Sequence, residues 1–212
     1  MDGSELVEAV RAAKATELER LGKEKSLIAA TDADLSAGAV LRSAAASERR
    51  AQRTFEAWAE TEPNDAARAA FERIAATEAD HYDRVAARLE DPPAGPDPEP
   101  DPLHASLREV ERTVERVGAG LVGRPLASER TLLQVVNFFV NEADSAAADL
   151  FRDLREETRE LPAEGAALLE ELCSGEDEWV LARKAAEDAV QVAYDDYAES
   201  LQEMGLDPKP VC

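Results

Sequence analysis

The chain predicts an all-α fold, and three observations carry that prediction. Aromatic residues make up only 5% of the 212 positions while alanine abounds, apolar residues recur at helical spacing, and the prolines gather outside the periodic segments. A helical pattern then occurs twice. Phe71-Glu-Arg-Ile-Ala-Ala-Thr-Glu78-Ala-Asp-His81-Tyr runs in step with Leu169-Glu-Glu-Leu-Cys-Ser-Gly-Glu176-Asp-Glu-Trp179-Val. Each copy follows a long helix with a glutamate on its apolar stripe, Glu48 or Glu142. Leu18-Glu-Arg-Leu precedes Glu48 much as Val114-Glu-Arg-Val precedes Glu142. The expected architecture is a four-helix bundle from a tandem three-helix duplication, with two extra helices outside it.

Residues 1–90 form the first expected repeat, with helices at 4–29, 34–61 and 65–90. Thr31-Asp-Ala-Asp34 offers caps for the second helix, and Pro63-Asn64-Asp65 breaks the chain and caps the third. Residues 91–102 contain six prolines in twelve positions, so they should run as an extended, semi-rigid linker. The second repeat, 103–212, is expected to hold helices at 103–120, 127–160 and 163–204 and to close with the first into one joint bundle. Asp101-Pro102 is a cap followed by proline at the first helical position. The run Gly118, Gly120, Gly123, Pro125 is read as ending the fourth helix, with Ser128 capping the fifth and Leu161-Pro162 as the last turn.

With 46 acidic against 24 basic residues the net charge is −22, which argues against nucleic acid and anionic membranes as partners. Five lysines among the 24 bases, with abundant Asp, Glu and Ala, point to a cytoplasmic protein of an extreme halophile. No charged-then-apolar leader and no apolar run near 18 residues is present, so neither secretion nor membrane spanning is indicated. Cys173 and Cys212 form no Cys-x-x-Cys motif, which excludes a disulfide framework and a cysteine-ligated zinc or iron site. Cys173 reads as a small core residue and Cys212 as a chain end.

The candidate site follows from helical register. Phe71, Ile74, Ala75, Glu78, His81, Tyr82, Val85 and Leu89 share one stripe, placing Glu78 beside His81 on the buried face. Leu41, Ala45, Glu48, Gln52 and Phe55 share another. Glu48 and Glu78 each stand fifteen residues from Pro63, and at ~1.5 Å per residue antiparallel helices bring them to one depth. A carboxylate facing a Glu-x-x-His pair is half of a dimetal site, and iron or manganese suits mixed carboxylate and imidazole ligands. In the second copy Glu176 and Glu142 are expected inward, although Trp179 stands where a histidine would. His104, opening the fourth helix, is expected at the surface. Phe138, Phe139, Phe151 and Trp58 read as core packing, and Tyr194-Asp-Asp-Tyr197 as helix surface.

The run Ser47-Glu48-Arg-Arg-Ala-Gln…Thr77-Glu78-Ala-Asp-His81-Tyr resembles rubrerythrins and the wider ferritin-like superfamily, over 34–90 and 127–200. The resemblance implies a ferritin-like bundle with one or two iron (or manganese) ions held by Glu48, Glu78, His81, Glu142 and Glu176, reacting with peroxide or dioxygen. It departs from that family at Trp179 and in having no cysteine-ligated rubredoxin domain, which leaves the electron donor unknown. The alternative is a bundle that has lost its metal and serves as a binding or scaffold protein. An inward arginine in the metal's place would favour that alternative. A homodimer is compatible with either, because the proline linker can span within or between chains.

Overall fold

The computed structural model describes residues 1–91 and 98–209, and among these it is all-helical, with no strand. Three short helices open the chain: α1 (Gly3–Ala13), α2 (Ala15–Leu21) and α3 (Lys25–Ala30). The long helices α4 (Ala37–Thr61) and α5 (Asp65–Ala86) follow. After α6 (Pro102–Arg108), the short α7 (Thr113–Val117) runs through a π-helical segment (Gly118–Gly123) into α8 (Arg124–Asn141). The chain ends with α9 (Ser145–Leu172) and α10 (Glu176–Glu203). No described helix is long and apolar enough to cross a membrane.

Two antiparallel hairpins result, α4 with α5 and α8 with α9. The first is the expected one: Asn64 caps α5 through Ala67 N–H. Ser36, not the expected Thr31–Asp34 run, caps α4 by accepting from Ala39 N–H. The second hairpin differs from expectation. The chain turns at residues 142–144, where Ala143 takes a left-handed φ of 58° and Asp144 caps α9 through Ala147 N–H. Pro162, read as a turn, lies buried inside α9. Proline removes one helical hydrogen bond, and the burial of Gly165, Ala166 and Leu169 beyond it offsets that loss. The chain breaks instead at Ser174-Gly175, so α10 is a separate helix packed on α6, α7 and the π segment. Ser128, read as a cap, sits within α8.

The glycine run does not end a helix. It makes a seam where backbones touch. A Cβ on Gly118 would lie 2.1 Å from Ala182 O, and one on Gly123 would lie 2.3 Å from Ala186 O. A Cβ on Gly120 would meet the Trp58 ring at 2.5 Å. The wider π turn shifts the register there, with Arg124 N–H bonding Ala119 O five residues back. Of the proline linker, 92–97 lie outside the described residues, as does Cys212. Asp101 caps α6 with Pro102 in its first turn, as expected.

The two hairpin turns lie at opposite ends, and an apolar cluster fills each end. One, around Phe55, Trp58, Phe71, Leu121, Leu169 and Val190, joins residues from both halves of the chain. The other, around Val40, Val85, Val135, Phe139 and Phe151, does the same. Phe139 and Phe151 stack at 5.5 Å, and Phe55 meets Trp58 edge-on. Between the clusters lie buried Glu48, Glu78, His81, Arg124, Glu129 and Thr158, a polar layer at mid-depth.

Candidate metal centre

Glu48, Glu78 and His81 are 8%, 3% and 2% exposed, so the three residues predicted to meet are all inside. The His81 Nδ1 atom stands 3.6 Å from Glu48 Oε2 and 3.7 Å from Glu78 Oε2. One ligand atom from each residue lies within 4.8 Å of the others, the only such group of three or more metal-binding side chains among the described residues. On the far side of the ring, Nε2 lies 2.8 Å from Glu157 Oε2 of α9, itself held by Arg84 at 3.0 Å. Glu157 is an acceptor, so Nε2 carries a proton toward it. In the neutral ring Nδ1 then holds the lone pair, facing two carboxylates with no hydrogen-bond partner.

A fourth member joins them that the helical stripes do not foretell. Arg124, 4% exposed, donates from Nη2 to Glu78 Oε1 at 2.6 Å, and its guanidinium lies over the Phe55 ring at 5.1 Å. The π segment feeds this side chain into the polar layer from the second hairpin. The sequence does hold one signal for it: Arg124 is the one charged residue in the ten from Gly118 to Ala127.

These groups set one another's protonation. Burial, with Glu78 close by, pushes the Glu48 carboxyl up to about 7. Burial acts on Glu78 in the same sense, but the Arg124 guanidinium and the His81 ring hold it well below the usual carboxylate range. Burial opposes charge on His81 too, yet Glu48 and Glu78 raise the imidazole to about 10.

The other two predicted ligands lie elsewhere. Glu142 is the exposed C-cap of α8, and Glu176 is the exposed first residue of α10. Neither approaches the cluster, because the breaks at 142–144 and 173–175 put both at helix ends. Trp179 belongs to α10 and packs on the first apolar cluster, outside the second hairpin. Counted from the second turn at Ala143, the positions matching Glu48, Glu78 and His81 are Ser128, Thr158 and Leu161. None of them is a strong metal ligand. The nearby Glu129 is 7% exposed and committed to Arg155, with Arg130 at 3.5 Å. His104, expected at the surface, is 3% exposed. Cys173 caps α9 half-buried, and burial pushes its thiol up to about 11.

No protein-family model matches this chain, and neither does any curated protein or solved structure.

The first-hairpin residues fit a metal ion. Two carboxylates and a ring nitrogen converge, and a metal ion there would take the place of the proton that His81 otherwise carries between them. Oxygen and nitrogen ligands bound at roughly 2.0–2.2 Å cannot stand much more than ~4.4 Å apart, a spacing both Nδ1 distances satisfy. Arg124 limits the site, since its charge already balances Glu78.

Proposed function

We propose that this chain is a ferritin-like bundle, derived from a duplicated hairpin unit, that keeps one half of a carboxylate metal site. Glu48, Glu78 and His81 would hold one iron or manganese ion, and Arg124 takes the place of a second. The observation that carries this reading is the buried convergence of His81 Nδ1 with two carboxylates, one ligand atom of each within 4.8 Å of the others. The opposed hairpins and the polar layer between two apolar clusters support the bundle assignment. When bound, such an ion supplies one-electron oxidation by peroxide or dioxygen.

The protein's own residues have distinct roles in this reading. Glu157, accepting from Nε2, fixes the ring so that Nδ1 faces inward. Arg124 holds Glu78 in place and offsets its charge without a second ion. Both apolar clusters keep bulk water out along the bundle axis. Glu48 also borders a cavity of about 330 Å³, which gives a small oxidant a way in.

Elemental analysis of protein purified in high salt without chelators tests the proposal. Iron or manganese near one per chain, lost in the Glu78→Ala, His81→Ala double variant, would support it. No metal in either protein after anaerobic iron loading would sink it. The second reading, a metal-free helical scaffold, would then stand. The Arg124–Glu78 pair favours it, because Glu78 is already neutralised.

A further inference from the structure

The cavity beside Glu48 lies between α4, α8 and α10, with α3 and α6 closing it. Its volume of about 330 Å³ is within the range of small-molecule sites. Leu27, Val40 and Leu132 give it apolar walls. The polar groups on those walls are unevenly spent. Both arginines are committed: Arg124 to Glu78, and Arg50 to Glu99 O at 2.6 Å with Asp101 at 3.6 Å.

Two buried polar atoms on the walls are not committed. His104 Nδ1 lies 2.8 Å from Asp101 Oδ1. Burial opposes charge on Asp101, but the His104 ring and Arg50 hold it below the usual carboxylate range, so an ionised oxygen faces Nδ1. The proton is therefore on Nδ1, and in the neutral ring Nε2 keeps its lone pair. That buried Nε2 has no partner, and neither does the buried Ser26 Oγ. Asp196 also lines the cavity, half-buried and without a hydrogen bond or close ion pair among the described residues; burial and Asp101 raise its carboxyl, and Arg50 opposes them. The acidic, aromatic tail read as plain helix surface thus turns one carboxylate and the 6%-exposed Tyr197 toward this space.

A site whose open positions are an imidazole lone pair and a hydroxyl, beside a carboxylate without a close partner and apolar walls, is complementary to a ligand with N–H donors, a positive charge and a hydrocarbon body. Asp101 and Asp196 disfavour anions, since the two arginines on these walls are already bonded to acceptors. We propose that the cavity binds a small organic ammonium ion, with Asp196 as its counter-charge and His104 Nε2 accepting a hydrogen bond from it. This site does not depend on the metal reading, since neither group is among the candidate ligands.

Ligand-observed NMR on chelator-treated protein tests it, with phenethylammonium, 2-phenylethanol and 3-phenylpropionate as matched probes. The ammonium ion is expected to bind about tenfold or more tightly than the alcohol, the worth of one charged hydrogen bond, and the carboxylate not at all. Asp196→Asn should weaken ammonium binding about tenfold, and His104→Gln should weaken it less. Equal binding of alcohol and ammonium, or wild-type affinity in both variants, would overturn the proposal. Elemental analysis of Asp196→Asn purified without chelators should give the parent's metal content, so loss of metal and loss of this ligand are read separately.

Discussion

The two hairpins share a layout and differ in what they place at its centre. In α4/α5 the mid-depth positions are Glu48, Glu78 and His81, while the corresponding positions of α8/α9 are Ser128, Thr158 and Leu161. The second hairpin contributes a cation, Arg124, where the first contributes acids. One hairpin holds negative charge that needs a partner, and the other supplies part of that partner. The difference teaches that the polar layer is complementary across the hairpins rather than symmetric.

Removing the cation should have the largest effect. Arg124→Met leaves Glu78 buried without its closest partner, with only His81 at 3.7 Å, and is expected to destabilise the metal-free protein by about 3 kcal/mol in chemical denaturation. If the variant is as stable as the parent, Arg124 does not balance the acidic hairpin.

Changing pH tests the same balance without mutation. Glu48, raised from its unfolded value of 4.5 to about 7, contributes stability below 4.5 that is lost as pH rises through 7. His81, raised from 6.5 to about 10, contributes stability below 6.5 that is lost as pH rises through 10. Glu78 acts oppositely, its contribution being lost only as pH falls below 4.5. Between these limits the first two act in the same direction. Each holds a proton in the folded chain that the unfolded chain has released, which costs about 1.4 kcal/mol for every pH unit climbed. The Tm of chelator-treated protein should be clearly higher at pH 5.5 than at 9.5, and a flat profile would mean these groups do not interact as described.

The seam offers a test of intermediate size. Gly118→Ala would push a methyl group against the Ala182 carbonyl, which is backbone and cannot rotate away. Overpacking of this kind costs about 1–3 kcal/mol, seen as a lowered denaturation midpoint. The cap of the second turn is the smallest: Asp144→Ala should cost about 1 kcal/mol. A sharper version of the comparison builds the missing half. On the proposed metal reading, Thr158→Glu with Leu161→His, combined with Arg124→Met, should raise the iron content by about one per chain in elemental analysis.

How much of this is legible in the sequence depends on local chemistry. Pro63-Asn64-Asp65 is an unambiguous break and cap, so counting places Glu48, Glu78 and His81 at one depth, and they do cluster. The second hairpin escapes such counting because its turn, Asn141-Glu-Ala-Asp144, contains neither glycine nor proline. Ala143 takes a left-handed conformation at a cost of about 1–2 kcal/mol, which no local pattern announces. Pro162 offers a false turn in its place, and the expected inward positions of Glu142 and Glu176 fail with it. The glycines mislead in another way: here they allow close approach of backbones, a role that shows only once α10 is seen against them. Arg124 and His104 owe their burial to tertiary packing, so helical period alone does not reveal them.

The polar layer also fixes how far one hairpin can slide along the other. A shift of one helical turn, about 5.4 Å, would carry Arg124 away from Glu78 and leave both charges buried without each other. The apolar clusters resist such a slip where Trp58 fits against Gly120, and elsewhere their contact is less directional. The ion pair resists it directly. It works as an alignment pin, holding the two hairpins in a single register.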